Sequence, residues 1–176
     1  MARPRSGRPH RNIDHKIMHP GRGAGNERMS STHLSLHFHV IFATKDRQPF
    51  LAREWRDRLH AYLGGSIRDL GALPQAIGGI SDHVHLLIGL KATHCLADTI
   101  RDIKRSSSEW IHQTIGQPAF AWQEGYGAFT VSASMRDDVR TYIENQEHHH
   151  QTRTFRDEYL DFLRKSGVTF DERFID

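Results

Sequence analysis

Residues 73–90 read LPQAIGGISDHVHLLIGL, two short runs of apolar and β-branched residues that meet at Ser81-Asp82. Residues 73 to 80 and 83 to 90 are each of strand length, and the polar pair between them predicts an antiparallel hairpin. On either side of the hairpin the periodicity changes. Upstream, Ala52 to Leu70 sets Trp55, Leu59, Tyr62, Leu63, Ile67 and Leu70 at helical spacing, and Gly71 ends the helix. Before that helix, LSLHFHVIF (residues 34–42) alternates and is rich in β-branched and aromatic residues, as a strand should be. Downstream, Leu96 to Ile115 carries Leu96, Ile100, Ile103, Ser107 and Trp110/Ile111 along one face, and Gly116 and Pro118 close it. Residues 120–132, with Trp122, Tyr126, Phe129 and Val131 around two glycines, read as a strand or short hairpin. Helices are expected from about Met135 to Gln151 and from Phe155 to Lys165. The order β-α-β-β-α-β followed by helices is an α+β, ferredoxin-like (RRM-like) pattern. It builds an antiparallel sheet with helices on one face and leaves the other face for a ligand or partner.

A chain of 176 residues suffices for one domain with tails. Residues 1–28 hold seven Arg/Lys against Asp14 and Glu27, with few large apolar residues, and are expected to be a disordered basic extension. Met29 then marks the expected start of a single folded unit, residues 29–176. The sequence pI of about 9.2 comes from that extension, because residues 29–176 carry slightly more acidic than basic side chains. Any nucleic-acid contact by the domain must therefore use a local basic patch. The single cysteine, Cys95, excludes an internal disulfide and a multi-cysteine metal site. No apolar run approaches the roughly twenty residues of a membrane span, and the start lacks the apolar stretch of a secretory signal. A cytoplasmic location with no membrane association is expected.

On a strand, His83 and His85 project to one face while Val84 projects to the other, so two imidazoles at this spacing can share a metal ion. The same pattern also fits two polar residues on a solvated face, and His37 and His39 on the first strand invite the latter reading more strongly. Tyr142 and Gln146, in VRTYIENQEHH, lie four residues apart and share one side of the expected helix. Its apolar side runs through Val139 and Ile143, which puts Tyr142 at the border of the core. On the second helix Arg101, Lys104 and Arg105 form a basic stripe, and Lys45 and Arg47 follow the first strand. These five are candidate phosphate contacts, or else solvated charges. Trp122 and Tyr126 are suited to stacking on bases or to the core.

HVHLLIGL after GGISD, IKRSSSEWI, WQEGYGAFTVSASM, YIENQEHH and TFRDEYLDFLRKSGVTFDERF occur together in order. Over residues 32–175 this arrangement resembles the single-tyrosine HUH transposases, the small transposases of insertion sequences that move as single-stranded DNA. The resemblance implies His83 and His85 as metal ligands, Gln146 as the third ligand, and Tyr142, on a C-terminal helix, as the nucleophile. It implies Mg²⁺ or Mn²⁺ as cofactor, no nucleotide cofactor, single-stranded DNA with hairpin ends as substrate, and a homodimer. It further implies cleavage and rejoining through a 5′-phosphotyrosine. Two features depart from the family's pattern: the extension before Met29, and the run His148 to His150, in which His149 has either an auxiliary role or a place at a solvated helix end. Two other readings are a domesticated relative that processes chromosomal repeat hairpins and a non-catalytic nucleic-acid-binding module on a ferredoxin-like sheet.

Overall fold

A computed structural model describes residues 33–150 and 154–171. The basic segment 1–28 and the expected start at Met29 lie outside the described residues. Four strands, β1 (His37–Ala43), β2 (Leu73–Gly79), β3 (His83–Gly89) and β4 (Gly127–Thr130), form one antiparallel sheet in the order β2-β3-β1-β4. With α1 (Arg53–Asp69) and α2 (Leu96–Trp110) between them, this is the ferredoxin-like connection expected from the pattern.

The register separates the two faces. Along β3, Val84, Leu86 and Ile88 pair with Phe42, Val40 and Phe38 of β1 and enter the main core. There they meet Leu59, Leu63 and Ile67 of α1 and Ile100 and Ile103 of α2. The alternate residues His83, His85 and Leu87 face the opposite side. That second face is not left open. It is covered by α3 (Arg136–Glu144) and α5 (Phe155–Lys165), through Ile143 against Ala76, Leu87 and Val131, and through Phe155, Leu160 and Leu163 against Ile41 and Phe129. A central strand buried on both sides explains why HVHLLIG is a nearly continuous apolar run.

Two elements depart from the expected bounds. Of residues 120–132 only Gly127–Thr130 form a strand, and the earlier part joins the sheet by a single bridge between Thr44 and Trp122. The expected helix from Met135 to Gln151 is broken. It stops at Glu144, Asn145 adopts φ −101° and ψ 21°, and the short α4 (Gln146–His149) follows. At the break the Thr141 carbonyl accepts from both the Asn145 backbone N–H, at 3.1 Å, and its side-chain amide, at 2.9 Å, which ties the end of α3 down where the helix stops. The last turn after α2, Ile111–Ile115, is also wider than an α-helix and ends at Gly116 with φ 77°.

Gly78 sets how closely α3 approaches the sheet. A Cβ at this position would run into the backbone carbonyl of Ile143. Because the obstacle is main chain rather than a flexible side chain, Gly78→Ala should lift α3 from β2 and cost about 2–3 kcal/mol of stability. Thermal melting together with proteolysis of the Arg136–Glu144 segment reads this out. Unchanged melting and unchanged cleavage resistance would contradict the close packing.

Candidate active site

His83 and His85 are both fully buried, so the solvated-face reading does not apply to them. Each ring is fixed through its Nδ1. His83 Nδ1 lies 2.7 Å from Asp82 Oδ1, and His85 Nδ1 lies 2.9 Å from His39 Nε2. With Nδ1–H donating in each case, both Nε2 lone pairs are directed into the space beneath α4 and α5. Neither Nε2 has a hydrogen-bond partner. Asp82 is held in turn by Arg47, whose Nε lies 3.2 Å from its Oδ2, and the Arg47 guanidinium stacks 3.9 Å from the centre of the Phe155 ring.

The electrostatics favour neutral imidazoles. Burial lowers the His83 pKa, opposed by Asp82, and burial together with the neighbouring His83, His39 and His150 holds His85 well below the usual histidine value. His39 is pushed down to about 4 by burial. Burial by itself would raise Asp82, but the hydrogen bonds and charges of His83 and Arg47 outweigh it and bring that carboxyl to about 2. The Asp82 anion thus orients His83 without competing for its Nε2.

Tyr142 reaches the same space from α3. Its ring stands edge-on to those of His85 and His39, with centroids 5.7 and 5.9 Å away, and its hydroxyl is buried without a hydrogen-bond partner. A cleft of about 270 Å³ opens beside it, lined by His39, His149, Glu158 and Phe162 among others. Gln146 is 1% exposed, with Oε1 3.0 Å from His150 Nε2 and Nε2 unpartnered. It is the break at Asn145 that turns Gln146 inward, and α4 is tied to α1 by Arg56 Nη1 bonding Glu147 at 3.0 Å. His149 stays exposed beside Tyr142, at a ring distance of 4.9 Å.

The sequence reading missed four side chains here: His39, Asp82, His150 and Glu158. After the break at Asn145, His150 lies against His83, while His149 lies beside Tyr142 at the cleft. Glu158 is a buried acid on α5, and burial raises its pKa to about 7. The signal for it was present, because Phe155, Glu158, Tyr159 and Phe162 share one helical side, and an acid inside an apolar stripe is anomalous.

The donor set fits a divalent cation. Unpartnered nitrogen atoms of His83 and His85, an unpartnered oxygen of Glu158 and the Gln146 amide are all buried and adjacent. Orphaned buried polar atoms in such number are unusual unless something binds them.

The five candidate phosphate contacts separate. Lys45 is exposed. Arg101 and Arg105 are exposed on α2, which covers the opposite face of the sheet from His83, and they lie near the carboxylates of Asp98 and Asp102. Arg47 and Lys104 are built into the fold. Lys104 Nζ donates to the backbone carbonyls of Gln123, Glu124 and Gly125 at 2.5, 3.0 and 3.0 Å. Lys104→Ala should therefore lower stability by about 1–2 kcal/mol in a denaturant titration, since those carbonyls lose a charged donor. A wild-type midpoint for that variant would return Lys104 to the set of free surface cations. The two candidate stacking aromatics belong to the core or its edge. Trp122 Nε1 donates to Ser107 Oγ at 3.0 Å, and Tyr126 packs partly buried against the main core.

Residues 32–146, well over half the chain, match the model of the IS200-like transposase family. The chain belongs to that family. The matched segment takes in His83, His85, Tyr142 and Gln146 and stops short of His150 and Glu158. No curated protein matches this IS200-like transposase. Among solved structures it is similar to a candidate transposase from Deinococcus radiodurans R1, with 29% identity over 73% of this chain and 98% of that one and a TM-score of 0.53. It is also similar in fold to a REP-associated tyrosine transposase solved with a REP hairpin, at 16% identity over 69% of this chain and 74% of that one, TM-score 0.51. Family membership makes it a transposase, and so a DNA-processing enzyme. Among the described residues no helix is long and apolar enough to cross a membrane.

Proposed function

We propose that this IS200-like transposase cuts and rejoins single-stranded DNA, with Tyr142 as the nucleophile and His83, His85 and Gln146 as residues that hold a divalent metal, Mg²⁺ or Mn²⁺. The observation that carries the reading is the Tyr142 hydroxyl, buried and unpartnered, next to His85, whose free Nε2 is equally without a partner. A tyrosine that only packs in a core finds a partner for its hydroxyl or extends it to water.

In the cleavage step the Tyr142 oxygen forms a bond to phosphorus and the bond from phosphorus to the 3′ oxygen breaks. The phenol gives up its proton and the departing 3′ oxygen gains one. Tyr142 then carries the 5′ phosphate, and attack by a DNA hydroxyl on that ester reverses the exchange on a new strand. The cation supplies Lewis acidity to the scissile phosphate when bound. Everything else falls to the chain. Asp82 and His39 hold the two imidazoles in the ligating tautomer. The α3 helix, docked through Ile143 on Gly78, fixes the phenol against His85 and so reduces the cost of orienting it for in-line attack. The Ser132 to Ser134 link before α3 would let that helix move.

Single-stranded DNA bearing hairpins is the proposed substrate, a reading supported by the hairpin bound to the fold relative. Lys45, Arg101 and Arg105, all exposed, are the proposed phosphate contacts, since ion pairs at surface arginines such as those with Asp98 and Asp102 compete only weakly. The test is incubation of the protein with hairpin-bearing single strands and Mn²⁺. A denaturant-resistant protein-DNA adduct that disappears with chelator supports the reading, and cleavage without any adduct would overturn it.

A further inference from the structure

Glu158 belongs to α5, beyond the segment that matches the family, and the chemistry described so far does not use it. Its side chain is buried, with Oε2 3.8 Å from His85 Nε2 and 3.4 Å from His150 Nε2, and that oxygen accepts no hydrogen bond. Among the described residues that oxygen has lost its water and gained no hydrogen bond in exchange, a costly arrangement for a carboxylate oxygen set between two imidazoles. The basic side chains nearby are engaged elsewhere. Arg47 pairs with Asp82, and Lys165, on the exposed side of α5, lies 3.9 Å from Asp161.

One donor atom each from His83, His85, His150 and Glu158 lies within 4.8 Å of the others. Two ligands of one first-row cation, each bonded at roughly 2.0–2.3 Å, sit about 3–4.5 Å apart, so this cluster needs only small adjustments to close on an ion. We propose that Glu158 is a further, anionic ligand of the metal in this chain, alongside His83, His85 and Gln146. His150 flanks the centre, oriented by its bond to Gln146. This rests on the metal site proposed above and adds to its ligands. Two imidazoles, one amide and one carboxylate form a set that holds divalent first-row ions while leaving positions open for a phosphate. Such a set favours Mn²⁺ or Co²⁺ over Mg²⁺, which prefers an all-oxygen shell.

A second consequence concerns the C-terminal segment. The α5 helix is then a structural part of the metal centre rather than a lid over the hydrophobic face. Its packing through Phe155, Leu160 and Leu163 becomes what places the carboxylate.

The test needs no DNA and no activity. Free Mn²⁺ is titrated with the full chain and followed by its electron paramagnetic resonance signal, for wild type, Glu158→Gln, Glu158→Asp and His83→Ala, with melting curves to verify folding. Glu158→Gln is expected to weaken Mn²⁺ binding at least tenfold, Glu158→Asp to retain more of it, and His83→Ala to lose it. Co²⁺ absorption should also differ between wild type and Glu158→Asp. If the folded Glu158→Gln protein binds Mn²⁺ as tightly as wild type while His83→Ala does not, Glu158 is no ligand and the histidine site stands. If His83→Ala also binds as wild type, the underlying metal site itself fails. Should Glu158→Gln not fold, a Glu158→Asp protein with wild-type affinity and an unchanged Co²⁺ spectrum would overturn the assignment.

Discussion

Replacing Tyr142 with phenylalanine should leave a protein that folds, binds single-stranded DNA and forms no covalent adduct. The nucleophilic oxygen is the only atom removed, and losing the nucleophile of a covalent mechanism typically lowers the rate by roughly 10⁴-fold or more. The ring contacts with His39, His85 and Phe162 survive, because they belong to the aromatic carbons. The hydroxyl makes no hydrogen bond, so its removal strands no partner and relieves a buried polar group. Melting should therefore stay the same or rise slightly while cleavage disappears. That combination separates a catalytic tyrosine from a packing one, for which cleavage would persist in the Phe variant because every ring contact is kept. Residual adduct in the Phe variant would move the nucleophile elsewhere.

His83→Ala should abolish metal-stimulated cleavage and also weaken the fold. The imidazole is fully buried between Phe155, His85 and His150 and anchors the Asp82 carboxylate. Its removal leaves a cavity and deprives that acid of one of its two side-chain partners, at a cost of about 2–3 kcal/mol. Binding of DNA should persist, since no candidate phosphate contact depends on His83 except Arg47 through Asp82. The measurement is the cleavage rate against added Mn²⁺ and against chelator. Wild type should lose activity in chelator and regain it with metal, whereas the Ala variant should be flat and near zero under both conditions. Cleavage by the variant at the wild-type rate would remove the metal from the mechanism.

The hairpin at residues 73–90 was readable because two runs of strand length flank a polar pair, whereas the shift of register between Pro74 and Ala76 was not. The α1 and α2 helices followed from spacing in the same way. What the sequence did not disclose depends on tertiary contact. A continuous helix is the natural reading of Met135 to Gln151, and the contacts made after the break, among them the ion pair between Arg56 and Glu147 and the burial of Gln146, are with residues distant in sequence. After that break His150 lies against His83 and His149 beside Tyr142. His39 read as solvated because its strand was expected to have an open face, and it is buried because α3 and α5 cover that face. Arg47 and Lys104 read as free cations because their partners, Asp82 and the carbonyls of residues 123–125, are distant in sequence. The candidate chemical residues could be named, while the groups that orient them could not, since orientation is a property of neighbours.

The most direct test of a Tyr142-centred mechanism is the position of the covalent link. Wild-type protein is incubated with a hairpin-bearing single strand and Mn²⁺, the adduct is digested with nuclease and protease, and the modified peptide is sequenced by mass spectrometry. A nucleotide 5′ phosphate on Tyr142 is the expected result. A phosphate on Tyr159, Tyr126 or any other residue, or cleaved DNA with no modified peptide, would contradict it.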